Sequence, residues 1–194
     1  MQILNSYVKP LIPVTLPWRG RQKYMHTFDL ASPSVPAGYE DYLDVVKSLC
    51  KAAGATEGLA HMTIDEKIVP AGMSQRRPGP HVDGCFMPSQ MIWGHDGPGW
   101  LHTCNNISGN VIARMPIITA ASVKGCKVYE GKYDATPKSD GDLSHVADGL
   151  PQGVLLSENY GYYLSPDCIH ESIIFKRDTK RTFLRIALPT DFVM

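Results

Sequence analysis

His81 and Asp83 flank a single residue, Val82, and are answered far downstream by Cys168-Ile169-His170 and then by Lys180-Arg181-Thr182-Phe183-Leu184-Arg185. In an extended chain, side chains two apart share a face, so His81 and Asp83 are expected to point together at one small cation. His170, arriving from another strand, would be the third ligand. Two imidazoles and one carboxylate hold a divalent metal without filling its coordination, which leaves adjacent positions for an exogenous acid and for dioxygen. An arginine on the following strand suits that acid, because its planar fork pairs bidentately with a carboxylate and stays charged when buried. Arg181 stands eleven residues after His170, a separation that fits a hairpin return, and Arg185 shares its face if the strand is regular.

The elements that must position these groups read mostly as strands. Met62, Ile64 and Ile68 alternate with polar positions, Val111 to Ala121 is rich in β-branched and small residues, and Lys127-Val128-Tyr129 follows a turn at Gly125. Gly153 to Tyr163 reads as an apolar strand, Ser165-Pro166-Asp167 as a turn, and Arg181 to Leu188 as the returning strand. Asp134 to Gly149 is polar and turn-rich, which predicts an exposed loop. Upstream, Pro10, Pro13 and Pro17 break the first apolar segment into an extended arm or edge strand. One helix is predicted. Tyr39, Tyr42, Leu43, Val46, Leu49, Cys50 and Ala53 recur at helical spacing, Glu40 and Asp41 lie in the first turn, and Gly54 is the stop. The expected role of this helix is packing against the outside of a sheet.

The ordered set His81, Asp83, His170 and Arg181 resembles the Fe(II)- and 2-oxoglutarate-dependent dioxygenase superfamily, whose pattern is His-x-Asp, a long gap, a distal histidine, and a basic residue about one hairpin later. The resemblance covers roughly residues 61–189. It implies a mainly β (α+β) fold, a double-stranded β-helix or jelly roll with an N-terminal buttressing helix. A single domain over residues 1–194 is expected, with an arm and helix in 1–60 and the jelly-roll oxygenase core in 61–190. The implied activity is an oxygenase with Fe(II) as metal and 2-oxoglutarate as cosubstrate, hydroxylating a C–H bond of an unidentified substrate and releasing succinate and carbon dioxide. His81, Asp83 and His170 would be its catalytic metal ligands, and Arg181 would hold the far carboxylate of 2-oxoglutarate. Arg185 could contact the cosubstrate or an acidic substrate, as in sulfonate-oxidising members. One departure is plain: where the family often has Arg-x-Ser, this chain has Phe183.

Further contacts are expected around these groups. Of Tyr162 and Tyr163, just before the distal ligand, Tyr163 is assigned to the cosubstrate. Arg77, beside Arg76, is assigned to an anionic substrate. The Gly/Trp-rich stretch from Trp93 to Trp100, with Asn105 and Asn106, supplies flat apolar surface and amide groups for a pocket rim, Trp93 and Asn105 in particular. Other readings stay open. His81 and Asp83 also suit an ordinary turn, and Cys85, Cys168, or His95 with His102 and Cys104, suit a Cys/His zinc site, although the spacing fits no compact zinc module. A cupin-like metal enzyme without 2-oxoglutarate and a non-catalytic jelly-roll binding module share the architecture.

Composition narrows the classes. Nineteen basic and nineteen acidic residues leave no global field favouring nucleic acid or an anionic membrane. Seventeen glycines and fifteen prolines exceed the average share of about 12% and are dispersed, as a turn-rich β fold requires. No stretch approaches the roughly 20 apolar residues of a membrane span, and the first residues lack a basic region followed by an apolar run. Five cysteines without tight repeated spacing point to reduced thiols, so a cytoplasmic setting is expected.

Overall fold

A computed structural model describes residues 2–85, 113–138 and 140–194. In chain order its strands are β1 (Ile3–Ser6), β2 (Val8–Pro13), β3 (Gln22–Asp29), β4 (Leu59–Val69), β5 (Gly84–Cys85), β6 (Ala113–Arg114), β7 (Ile117–Ala121), β8 (Cys126–Tyr129), β9 (Gly131–Asp134), β10 (Val154–Leu155), β11 (Tyr160–Leu164), β12 (Ile169–Ser172) and β13 (Thr179–Ala187). Every pairing between them is antiparallel. They form a six-stranded sheet in the order β2-β11-β7-β13-β4-β3, a three-stranded sheet β10-β8-β12, and the ribbons β1-β9 and β5-β6. The fold is therefore mainly β and sandwich-like. Among the described residues no helix is long and apolar enough to cross a membrane.

The central strands of the six-stranded sheet are buried on both faces, and β13 shows what each face does. Leu184 and Ile186 point outward into the main core, where helix α1 (Leu43–Ala53) lays Val46, Leu49, Cys50 and Ala53 against them. Arg181, Phe183 and Arg185 alternate with these residues and line a cavity on the inner face. The helix performs the expected packing role. It is preceded by a 3-10 turn over Glu40–Tyr42 and ends at Gly54, whose φ of 70° lets its N–H reach back to the Cys50 and Lys51 carbonyls.

Gly161 of β11 is where the helix comes closest. A Cβ built there would overlap Leu49 Cδ2. Gly161→Ala is expected to cost about 1–3 kcal/mol through overpacking, and Leu49→Ala about 2–5 kcal/mol through cavity formation. In urea denaturation the double variant should be more stable than the sum of the two losses predicts, because the alanine methyl enters the space Leu49 vacated. Strict additivity would show that the helix does not rest on Gly161.

Of four readings of the sequence, one holds and three are corrected. The first apolar segment supplies the expected edge strand, β2, paired to β11, with β1 before it joined to β9 and β3 after it joined to β4. Gly153 to Tyr163 is not one strand: β10 pairs with β8 while β11 pairs with β2 and β7, and a turn at Asn159, with φ of 53°, separates them. The helical pattern begins as a 3-10 turn rather than as α-helix at Tyr39. The segment from Asp134 to Gly149 is not wholly exposed, because Ala135 and Leu143 are buried with Val82 and Ile169 in a small core of their own. That core carries the segment that positions the site.

Candidate metal centre

His81 lies between two neighbours. On one side it forms an antiparallel bridge with His170 of β12, each N–H donating to the other's carbonyl at 3.0 Å, and on the other it bridges Asp142. The Val82 N–H donates to Gly141 O at 3.1 Å and the Leu143 N–H to Pro80 O at 2.9 Å, so residues 80–82 run as an added strand beside the three-stranded sheet. Val82 and Leu143 anchor that strand through their small core. His81 and Asp83, two apart, then turn to the cavity, as extended geometry requires.

One ligating atom from each of His81, Asp83 and His170 can be chosen so that all lie within 4.8 Å of one another. The two imidazole rings stand 4.5 Å apart, and His170 Nε2 is 3.7 Å from Asp83 Oδ2. His81 Nδ1 is 2.8 Å from Gly79 O, and His170 Nδ1 is 2.9 Å from Cys168 O. A carbonyl only accepts, so both Nδ1 atoms carry hydrogen. Nε2 is therefore the ligating atom of each ring, held in tautomer and orientation by backbone two residues upstream.

The protonation states suit a cation. Burial, aided by the neighbouring His170, pushes His81 down to about 4, so at neutral pH its Nε2 offers a lone pair. Burial alone would raise the Asp83 carboxyl, but Arg185, with the two histidines and Arg76, outweighs it and holds the group well below the usual carboxylate range. Arg185 Nε lies 3.2 Å from Asp83 Oδ2 without hydrogen-bond geometry. This donor set, two neutral-capable imidazoles and one carboxylate with an open side, fits a divalent metal of the Fe(II), Mn(II) or Co(II) kind.

The cavity beside the cluster has a volume of about 210 Å³ and lies between the two main sheets, with Thr119 and Phe183 on one wall and Cys126 and Ser172 on the other. Arg181 is also on its lining and is 1% exposed. Its Nε donates to Val123 O at 2.9 Å and its Nη1 donates to Gln75 Oε1. Burial pulls its pKa down to about 10, which leaves it charged at neutral pH.

Two expected contacts are placed elsewhere or otherwise engaged. Tyr163 faces away from the cavity, packed in the main core against Tyr7 and Phe192 at ring-centroid distances of 6.1 Å, while its neighbour Leu164 lines the cavity. Alternation along β11 puts only one of the two inward. Arg77 reaches the lining but is clamped, with its Nη2 2.9 Å from Asp140 Oδ2 and 3.6 Å from Asp142 Oδ1. Trp93, Trp100, Asn105, Asn106, His95, His102 and Cys104 lie outside the described residues. The Cys85 side chain lies outside what is described; of the described thiols none joins the ligand cluster, Cys168 being buried in an apolar core and burial pushing the Cys126 thiol up to about 12.

Sequence reasoning missed Gln75, Thr119 and Glu171, which come to the site from three separate elements. None of them offered a local signal; Gln75, in the stretch before His81, is polar in type yet 4% exposed, which only the folded structure shows. Neither a protein-family model nor a curated protein matches this chain. A mainly β protein thus carries a His-Asp-His group, with both histidines buried, that could hold a metal ion.

Proposed function

We propose that this protein is an Fe(II)- and 2-oxoglutarate-dependent oxygenase on a double-stranded β-helix, oxidising a C–H bond of a small substrate. The observation that carries the reading is the His81, Asp83 and His170 cluster, with both Nε2 atoms left to the metal, at one end of a cavity whose inner strand carries Arg181 and Arg185. When bound, Fe(II) with 2-oxoglutarate and dioxygen would supply the oxidising chemistry, one oxygen atom entering the succinate formed as carbon dioxide leaves and the other entering the substrate. The chain's residues have the tasks of holding and orienting it. Arg185 stands beside Asp83, too close to the metal position to grip the remote end of a five-carbon diacid. Arg181 is four residues back on the same face, about 13 Å along the strand, and has an Nη2 whose hydrogens the Val123 and Gln75 contacts do not use. It is the group for the far carboxylate. Phe183, between the two arginines, gives the carbon chain an apolar wall.

The test is anaerobic titration of the Fe(II)-loaded protein with 2-oxoglutarate, followed by admission of air. The expected results are a metal-to-ligand charge-transfer band and succinate formed in step with carbon dioxide. Metal binding without the band or succinate would leave a metal protein of another kind and sink the cosubstrate assignment.

A further inference from the structure

We propose that the metal cavity holds a second organic acid and that Arg76 is its anchor, so that the compound oxidised at this site itself bears a carboxylate or comparable oxyanion. Oxidation of that compound rests on the oxygenase reading; the anion site does not.

Four arginines line the cavity, Arg76, Arg77, Arg181 and Arg185, against the carboxylates of Asp83 and Glu171. Most of this charge is already matched. Arg77 is held by Asp140 and Asp142, Arg185 faces Asp83, and Glu171 is taken by Lys127. Arg181 donates to two neutral oxygens and keeps its charge for a ligand. Arg76 differs from all of these. Among the described residues its guanidinium makes no hydrogen bond and no contact ion pair; it lies near the rings of Phe183, at 5.6 Å from Cζ to centroid, and Tyr24, at 5.9 Å, and the carboxylates of Asp83 and Asp65 act on it only through space. Burial, and then the charge of Arg185, lower its pKa, and the through-space pull of Asp83 and Asp65 does not offset them, as expected of a cation drawn out of water with no hydrogen-bonded carboxylate. A half-buried guanidinium in that state is satisfied by an incoming oxyanion, which it can grip with two parallel N–H groups.

The backbone of Arg76 is fixed relative to the metal ligands. Its N–H donates to Ser172 Oγ at 3.3 Å, and the Ser172 N–H donates to Arg77 O at 3.1 Å, which ties this segment to β12 two residues beyond His170. The Phe183 ring is shared by the two guanidiniums that no carboxylate contacts, with Arg76 Cζ and Arg181 Cζ at 5.6 and 5.4 Å from its centroid. One cavity thus offers two positive groups beside an apolar face. With the cosubstrate on Arg181, the second belongs to the substrate. Arg77, its sequence neighbour, is excluded from the role by its own two carboxylates.

The proposal is tested by calorimetric titration of the Mn(II)-loaded protein, saturated with 2-oxoglutarate, using butyrate and propane-1-sulfonate as acid probes and butyramide and 1-butanol as neutral counterparts. The acids should bind and the neutral compounds should not. Arg76→Gln should weaken acid binding by about tenfold or more, as for loss of a charge-assisted hydrogen-bonding partner, with 2-oxoglutarate affinity within about twofold of the parent. Arg76→Lys should recover part of the loss, and circular dichroism of both variants should match the parent. Equal affinity for acids and neutral compounds, or acid binding unchanged in Arg76→Gln, overturns the proposal. So does loss of 2-oxoglutarate binding in that variant, which would make Arg76 a cosubstrate residue. If the unmodified protein takes no 2-oxoglutarate, the oxygenase reading fails separately; the same titration of the Mn(II) protein without it must still show acid binding that Arg76→Gln removes, and the absence of such binding overturns the anchor as well.

Discussion

Asp83→Ala should weaken divalent-metal binding by at least about 100-fold. Residues that merely orient a ligand typically cost 10–100-fold when removed, and Asp83 is the carboxylate that clusters with His81 and His170 among the described residues. The variant also leaves Arg185 facing two imidazoles with its 3.2 Å carboxylate neighbour gone, so the site becomes more positive as it loses a ligand. Mn(II) titration followed by electron paramagnetic resonance reads the affinity directly. A second measurement separates binding from folding: the parent melting temperature should rise with Mn(II) concentration by simple linkage, and that of Asp83→Ala should not. A variant that binds Mn(II) as tightly as the parent would show that the three side chains do not act as one site.

Arg181→Ala should lower 2-oxoglutarate affinity on the order of 100-fold while leaving metal affinity nearly unchanged. The first expectation follows from loss of a bidentate charged partner in a buried setting, worth about 1.5–3 kcal/mol per charged hydrogen bond. The second follows from position, because Arg181 and Arg185 are separated by four residues of β13 and it is Arg185 that stands against Asp83. The truncation carries a stability cost as well. It deprives Val123 O and Gln75 Oε1 of their donor and empties the space that Gly125 leaves for the guanidinium, where a Cβ would stand 2.9 Å from Arg181 Cζ. Arg181→Lys controls for this by keeping the charge and losing the fork, and it should bind the cosubstrate more weakly than the parent. If Arg181→Ala binds 2-oxoglutarate as the parent does and Arg185→Ala does not, the cosubstrate anchor moves four residues along the strand.

Much of the site was legible because its signals are local. His81 and Asp83 face one cavity since an extended chain alternates, and Arg181, Phe183 and Arg185 share a face of β13 for the same reason. The stripe from Tyr42 to Ala53 declared the helix, since its apolar residues recur with the helical period and Gly54 can adopt the left-handed cap. The order of ligands and arginine along the chain also needed no structure to be seen.

Other features depended on contacts between residues far apart in the sequence. Alternation assigns residues of a strand to two faces but does not say which face holds the cavity. In β11 no polarity contrast breaks the tie, because Tyr163 packs under the helix while Leu164 lines the cavity, and both positions are apolar. The neighbours Arg76 and Arg77 are identical in type. Their difference is made by Asp140 and Asp142, which hold one and leave the other to the cavity. Likewise, a polar segment looked like a surface loop until Leu143 drew it inward beside His81. Residue type and spacing thus determined which groups could bind a metal and an acid; only the packing of distant segments decided which of those groups already have partners, because charge neutralisation is a property of distance in space and not of order along the chain.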